Sequence, residues 1–187
     1  MKKIYFITKN KYKLEAMRKR LESFKIGVEN VAIDTPEIQA DTCEEVAKFS
    51  AKYAAEKLNK PVLKADAGLF VEALGGLPGV YTNHFQKLLG PEKFLRLLEG
   101  EENRKAKIVY VLVYCEPGKE PVIFADGSNG VISTEPRSKE GMLIDFIFIP
   151  ENSGGKSMGE LREEDPELRQ KFWGDAEGKF AKWFVEQ

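Results

Sequence analysis

At 187 residues the chain suits one domain, or one domain with a lobe, and can bury a proper core. Its 29 basic and 30 acidic residues nearly cancel, so no global field recruits nucleic acid or an anionic membrane. Hydrophobic residues at 42% and charged residues at 32% describe an ordinary soluble globular protein, and no stretch approaches a membrane span. Cys43 and Cys115 are the only cysteines. They have no Cys-x-x-Cys or His-rich partner motif, which excludes a zinc site and a disulfide framework. The first apolar run is too short for a signal peptide, so the expected compartment is a reducing cytoplasm.

In chain order, Ile4 to Thr8 reads as a buried strand, followed by the polar turn Lys9-Asn10-Lys11. Leu14, Met17 and Leu21 then recur at helical spacing. Residues 27–33 read as a second strand, before a proline-containing loop from Asp34 to Asp41. Thr42 with Glu45 three residues on predicts a capping box, opening a helix to about Leu58. Pro61, Val62 and Leu63 begin a strand that is expected to end at Asp66 and turn there. Gly75 to Tyr81 is a glycine-rich break, and Pro91 to Glu99 reads as a helix. Lys107–Cys115 and Pro121–Phe124 read as strands joined by a hairpin-like turn, with further strands at Val131–Ser133 and Ile144–Ile149. Residues 151–157 form a Gly/Ser-rich loop, and a final amphipathic helix carries Phe180, Trp183 and Phe184. Together these elements predict an α/β chain with a mixed sheet.

Asp66 has two readings. It is a turn residue bonding its own backbone, or a carboxylate at a strand's carboxyl end that binds a divalent cation or takes a proton from water. The loop Thr8 to Lys13, between a strand and a helix, is either a solvated lysine-rich helix start or a phosphate site using helix N–H groups. Glu37 follows a proline in a loop. It is a surface residue or, paired with Asp66, half of an oxygen-rich magnesium site. Lys52 sits on the capped helix, where most lysines are solvated. His84, the one histidine, is a general base or a loop residue.

Read in order, Phe6-Ile-Thr-x-Asn10-x-x-Lys13, Pro36-Glu-Ile-Gln39, Asp66-x-Gly-Leu69, Gly76-Leu-Pro-Gly-Val-Tyr81, Leu97-Leu-Glu-Gly100, Asp145 and Ile147-Phe-Ile-Pro150 resemble the inosine triphosphate pyrophosphatase, or Ham1-like, family. The likeness covers nearly the whole chain. It implies a single domain over residues 1–187, an elongated mixed sheet flanked by helices, with two lobes around a central cleft. It implies hydrolysis of non-canonical purine nucleoside triphosphates to monophosphate and pyrophosphate, with magnesium as cofactor and a homodimer as the assembly. By position, Thr8, Asn10, Lys13, Lys52 and Asp145 would hold the nucleoside triphosphate. Glu37 and Asp66 would bind magnesium, and Asp66 with Lys52 would be catalytic.

Several family positions differ here. Lys9 replaces a glycine of the first loop, and Ala65 and Ala67 flank Asp66 where the family has an acidic residue and a serine. The family's base-stacking segment, Gly-Phe-Gly-Tyr-Asp-Pro, reads Gly141-Met-Leu-Ile-Asp-Phe146. Its Ser-His-Arg, which recognises the purine, falls in Lys171-Phe-Trp-Gly-Asp-Ala176. The resemblance therefore leaves two functions open. One is a pyrophosphatase whose base recognition is altered or lost. The other is a repurposed or engineered scaffold, catalytically impaired, whose apolar former base pocket at Met142, Phe146, Phe172 and Trp173 takes an apolar ligand or a protein partner. These same side chains can also collapse together and close the pocket.

Overall fold

A computed structural model describes residues 2–36 and 38–187, with the side chains of all of them but Tyr12. The chain runs β1 (Lys2–Ile7), α1 (Lys11–Glu22), β2 (Ile26–Val31), α2 (Cys43–Leu58), β3 (Val62–Val71) and β4 (Pro78–Gly79). It continues α3 (Thr82–Arg96), β5 (Lys105–Cys115), β6 (Val122–Ile132), α4 (Leu143–Ile147) and β7 (Phe148–Pro150). Three further helices follow: α5 (Met158–Glu164), α6 (Pro166–Phe172) and α7 (Ala176–Glu186). The strands form one mixed seven-stranded sheet in the order β2-β1-β3-β5-β6-β7, with β4 paired to β3 off that path. β1 lies parallel to both β2 and β3, while β4 on β3 and β7 on β6 are antiparallel.

The chain divides into two compact units. The first comprises Met1–Asp66, Val111–Ala125 and Asp175–Gln187. Its helix α2 buries an almost side-chain-free stripe, Ala47, Ala51, Ala54 and Ala55, at spacings that keep one face on the core. A second cluster joins Tyr114 and Phe124 to Phe180, Trp183 and Phe184 of α7. Ring centroids there lie 5.1–6.5 Å apart, within the range of favourable aromatic pairing.

The second unit comprises Ala67–Tyr110 and Asp126–Gly174. Leu69, Val71, Phe94, Leu98, Ile108 and Phe148 lie at the centre of its core. Helix α3 bends at Gly90, whose φ of +69° a glycine adopts at no steric cost, immediately before Pro91.

The capped helix from Thr42 has the expected limits. Thr42 Oγ1 accepts the Glu45 N–H at 3.2 Å, and Glu45 Oε2 accepts the Thr42 N–H at 3.1 Å. At the other end Asn59 closes the helix in the left-handed region. Replacing Thr42 by alanine removes one half of this box and is expected to cost about 1 kcal/mol. Urea unfolding of the Thr42→Ala variant measures it.

Four expectations are corrected. β3 does not end at Asp66 but continues to Val71, because Leu69 and Phe70 pair with Gly79 and Pro78. The expected strand from Ile144 to Ile149 is one turn of helix, α4, and then β7. There the Asp145 carboxylate accepts the Met142 N–H at 2.8 Å and starts a helix that β-branched residues alone would not favour. The two short strands at 121–124 and 131–133 belong to one long strand, β6. Helix α3 begins nine residues before Pro91, so His84 is helical and exposed rather than in a loop.

Candidate active site

The loop of residues 8–13 and Asp66 both lie at the carboxyl edge of the first unit's parallel strands. Phe6 stands opposite Leu63, so β1, which ends at Ile7, stops two residues short of Asp66. Asp66 thus lies mid-strand, yet just beyond the point where its parallel neighbour ends. Open α/β sheets bind ligands at such edges.

The loop leaving β1 is closely braced. Asn30 Nδ2 donates to the carbonyls of Thr8 at 2.9 Å and Phe6 at 3.3 Å. Thr8 Oγ1 accepts the Asn10 N–H at 3.1 Å, and Asn10 Oδ1 in turn accepts the Lys13 N–H at 3.2 Å. Asn10 is therefore the N-cap of α1, a role its residue type suits. The first turn of α1 contains no acidic residue, and Lys9, Lys11 and Lys13 surround it. Lysine charge and the helix dipole have the same sign there, which favours an anion. Lys9 also pairs with Asp34.

Cys43, the first residue of α2, is completely buried. Burial chiefly, then the Asp66 charge, pushes the Cys43 thiol far up, while Lys13 draws it down. Burial likewise raises Cys115. Both thiols therefore stay protonated in the folded chain at pH 8, and Ellman's reagent is expected to label neither until the protein unfolds. Tyr114 is pushed up to about 12 by burial and then by Glu116. These groups keep protons that the unfolded chain releases, so their contribution is complete at neutral pH. It declines as the pH rises above about 8.5, where unfolded thiols ionise, and further above about 10 for the tyrosine. Unfolding midpoints between pH 7 and 11 check that sign.

Lys52 comes nine residues after Cys43, two and a half turns along α2, which puts it on the opposite face and about 14 Å further on. It is half exposed and donates to Glu120 at 3.3 Å, with Lys48 on the other oxygen at 3.6 Å. Glu37 lies outside the described residues.

Asp145, in the second unit, is buried and engaged by protein groups. Arg169 approaches Oδ1 at 2.8 Å, Arg162 approaches Oδ2 at 3.6 Å, and the Met142 N–H also bonds Oδ2. Sequence reasoning missed Arg169, whose only signal was a charge on a short amphipathic stretch. Phe146, Phe172 and Trp173 pack against the second unit's core, and Trp173 meets Tyr110 edge-on at 6.3 Å. Met142 stays 40% exposed. Phe146, Phe172 and Trp173 are thus partly buried against the core of their own unit.

The described residues contain no group of three or more metal-ligating side chains. One carboxylate at the phosphate loop nonetheless fits magnesium, which keeps several waters and commonly takes one or two carboxylates plus substrate phosphates.

A Ham1 family model matches residues 4–182. A dITP/XTP pyrophosphatase of Methanopyrus kandleri is 43% identical over 97% of this chain and 96% of its own. Another, from Thermococcus kodakarensis, is 41% identical over 98% of each. A solved HAM1 protein from Coxiella burnetii superposes with a TM-score of 0.85 at 27% identity, covering all of both chains. The Ham1 protein of Staphylococcus aureus gives 0.82 at 26% identity, over 99% of each.

Proposed function

The chain belongs to the Ham1 family, and from that membership we propose that it is a nucleoside triphosphate pyrophosphatase whose working carboxylate is Asp66. The observation behind this reading is that the loop after β1 and Asp66 both follow the paired stretch of β1 and β3, at the carboxyl end of those parallel strands. The relatives named dITP/XTP pyrophosphatase supply the substrate class, non-canonical purine triphosphates.

The reaction divides among the chain's own groups as follows. Lys13 and the first turn of α1 take the phosphate charge, and Asn10 and Thr8 keep that turn in shape. Asp66 orients the attacking water and accepts its proton. Water adds to the α-phosphorus, the bond from that phosphorus to the bridging oxygen breaks, and pyrophosphate leaves with the electron pair. Such hydrolysis is mostly positioning and charge neutralisation. Asp66, with Glu37 by resemblance, would hold a magnesium ion, which supplies neutralisation of the phosphate oxygens. Lys52, by the same resemblance, would reach the phosphates only after leaving Glu120. Asp145 serves by fixing the Gly141–Phe146 segment rather than by touching the nucleotide. A homodimer belongs to the same reading, and light scattering should then give twice the 21.1 kDa chain mass.

Phe172 and Trp173 occupy the segment where the family reads the purine edge, and they offer a base little hydrogen bonding. Sites that read a polar edge by hydrogen bonds discriminate by 10⁴–10⁵-fold, and here the ratio between bases is expected to stay well below about 10³. The test is pyrophosphate release from dITP, XTP and the canonical triphosphates with magnesium. Turnover of dITP and XTP with modest selectivity supports the reading. Orthophosphate as the first product, or no turnover of any triphosphate, refutes it.

A further inference from the structure

We propose that Lys64 is a further phosphate-binding residue, its ammonium held at the sheet edge to take negative charge from the triphosphate chain. This deepens the pyrophosphatase reading and rests on it. From Val62 to Val71, β3 carries two polar side chains, Lys64 and Asp66, and every other residue is apolar or glycine. Two residues apart on a strand, they project from the same face with their roots about 7 Å apart. Lysine is depleted in strands and costly to bury, so a partly buried lysine in this strand calls for an anion.

A hydrogen bond shows where the ammonium goes. Lys64 Nζ donates to Thr35 Oγ1 at 3.2 Å, in partly buried surroundings. Thr35 lies four residues past the end of β2, and the sheet order is β2-β1-β3. The bond therefore links the two strands that flank β1. Phe6 pairs with Leu63, and continuing that register puts Lys64 level with Ile7, the last residue of β1. An ammonium reaching from β3 toward β2 at that level passes the point where the loop with Thr8, Asn10 and Lys13 leaves the sheet. The Thr35 hydroxyl directs it there without adding a charge, and an ammonium has three donors to distribute. Lysines on two elements, Lys13 on α1 and Lys64 on β3, would then share the charge of the phosphate chain, as hydrolysis by charge neutralisation requires.

Two measurements separate a phosphate ligand from a lysine that only tethers the loop after β2. The first uses the wild type: inorganic pyrophosphate with magnesium should protect Lys64 from acetylation, read by peptide mass mapping. Lys3, exposed at the opposite end of β1, is the reference. Equal labelling of Lys64 with and without pyrophosphate overturns the proposal. The second is calorimetric binding of the same magnesium pyrophosphate to two variants. Lys64→Met keeps the length and loses the charge, whereas Thr35→Val removes the tether alone. Affinity should fall at least about tenfold in Lys64→Met, with a clearly smaller loss in Thr35→Val. Unchanged affinity in Lys64→Met, or equal losses in the two variants, overturns the proposal. If the wild type hydrolyses no triphosphate while Lys64→Met still loses pyrophosphate binding, the anion site stands and the pyrophosphatase reading falls. If wild type and Lys64→Met hydrolyse dITP with the same KM and kcat, the pyrophosphatase reading stands and Lys64 is no ligand.

Discussion

Asp145→Ala should be the most destabilising single carboxylate replacement in the second unit, lowering unfolding free energy by about 3 kcal/mol. The side chain is 2% exposed, accepts hydrogen bonds from Arg169 and from the Met142 N–H at 2.8 Å each, and has Arg162 as a second counter-charge at 3.6 Å. Removing it leaves the Arg169 guanidinium, itself only 18% exposed, with the Met158 carbonyl at 3.0 Å and the Trp173 ring but no counter-charge. It also uncaps α4. Arg162 is better solvated at 31% exposure, which keeps the expected cost at the lower end for a broken buried pair. In a chain of this size the loss corresponds to about 6–12 °C in melting temperature. Asp145→Asn, which keeps an acceptor for the Met142 N–H, should fall between wild type and alanine. A cost below about 1 kcal/mol in urea unfolding would mean that the pair behaves like a surface bridge.

The second large effect is on turnover. Asp66→Ala should lower kcat/KM for dITP on the order of 10²–10⁴-fold, the range for losing a group that orients water and moves its proton. Stability should change far less, since Asp66 is only partly buried and lies in a strand whose core contacts, Leu63, Leu69 and Val71, remain. An activity loss without a matching stability loss separates this residue from Asp145, whose replacement acts in the opposite proportion.

These two aspartates also show what the sequence could reveal. The start of the helix from Thr42 was legible to the residue because its signal is local, a capping box within the first turn. The strand through Asp66 was misread as ending there, since Ala67 and Gly68 look locally like a turn. What extends it is pairing of Leu69 with Gly79 and Phe70 with Pro78, contacts ten and eight residues away that no local pattern states. Asp145 was found by its family position, but its engagement was invisible, because Arg169 lies 24 residues further on. Lys52 likewise pairs with Glu120, 68 residues further on, which no local pattern states.

The altered segments are also clearer in three dimensions. Replacing Ser-His-Arg by Phe and Trp suggested either a new apolar binding surface or a closed pocket. In the second unit Phe146, Phe172 and Trp173 rest on the core, which favours closure and weakened base reading over a docking face.

Pyrophosphate release from dITP with magnesium, by wild type and Asp66→Ala side by side, tests the central claim most directly. The account predicts dIMP and pyrophosphate in equal amounts from the wild type and a loss of at least about 10²-fold in a folded Asp66→Ala variant. Equal turnover by the two proteins, or none by the wild type, would contradict it.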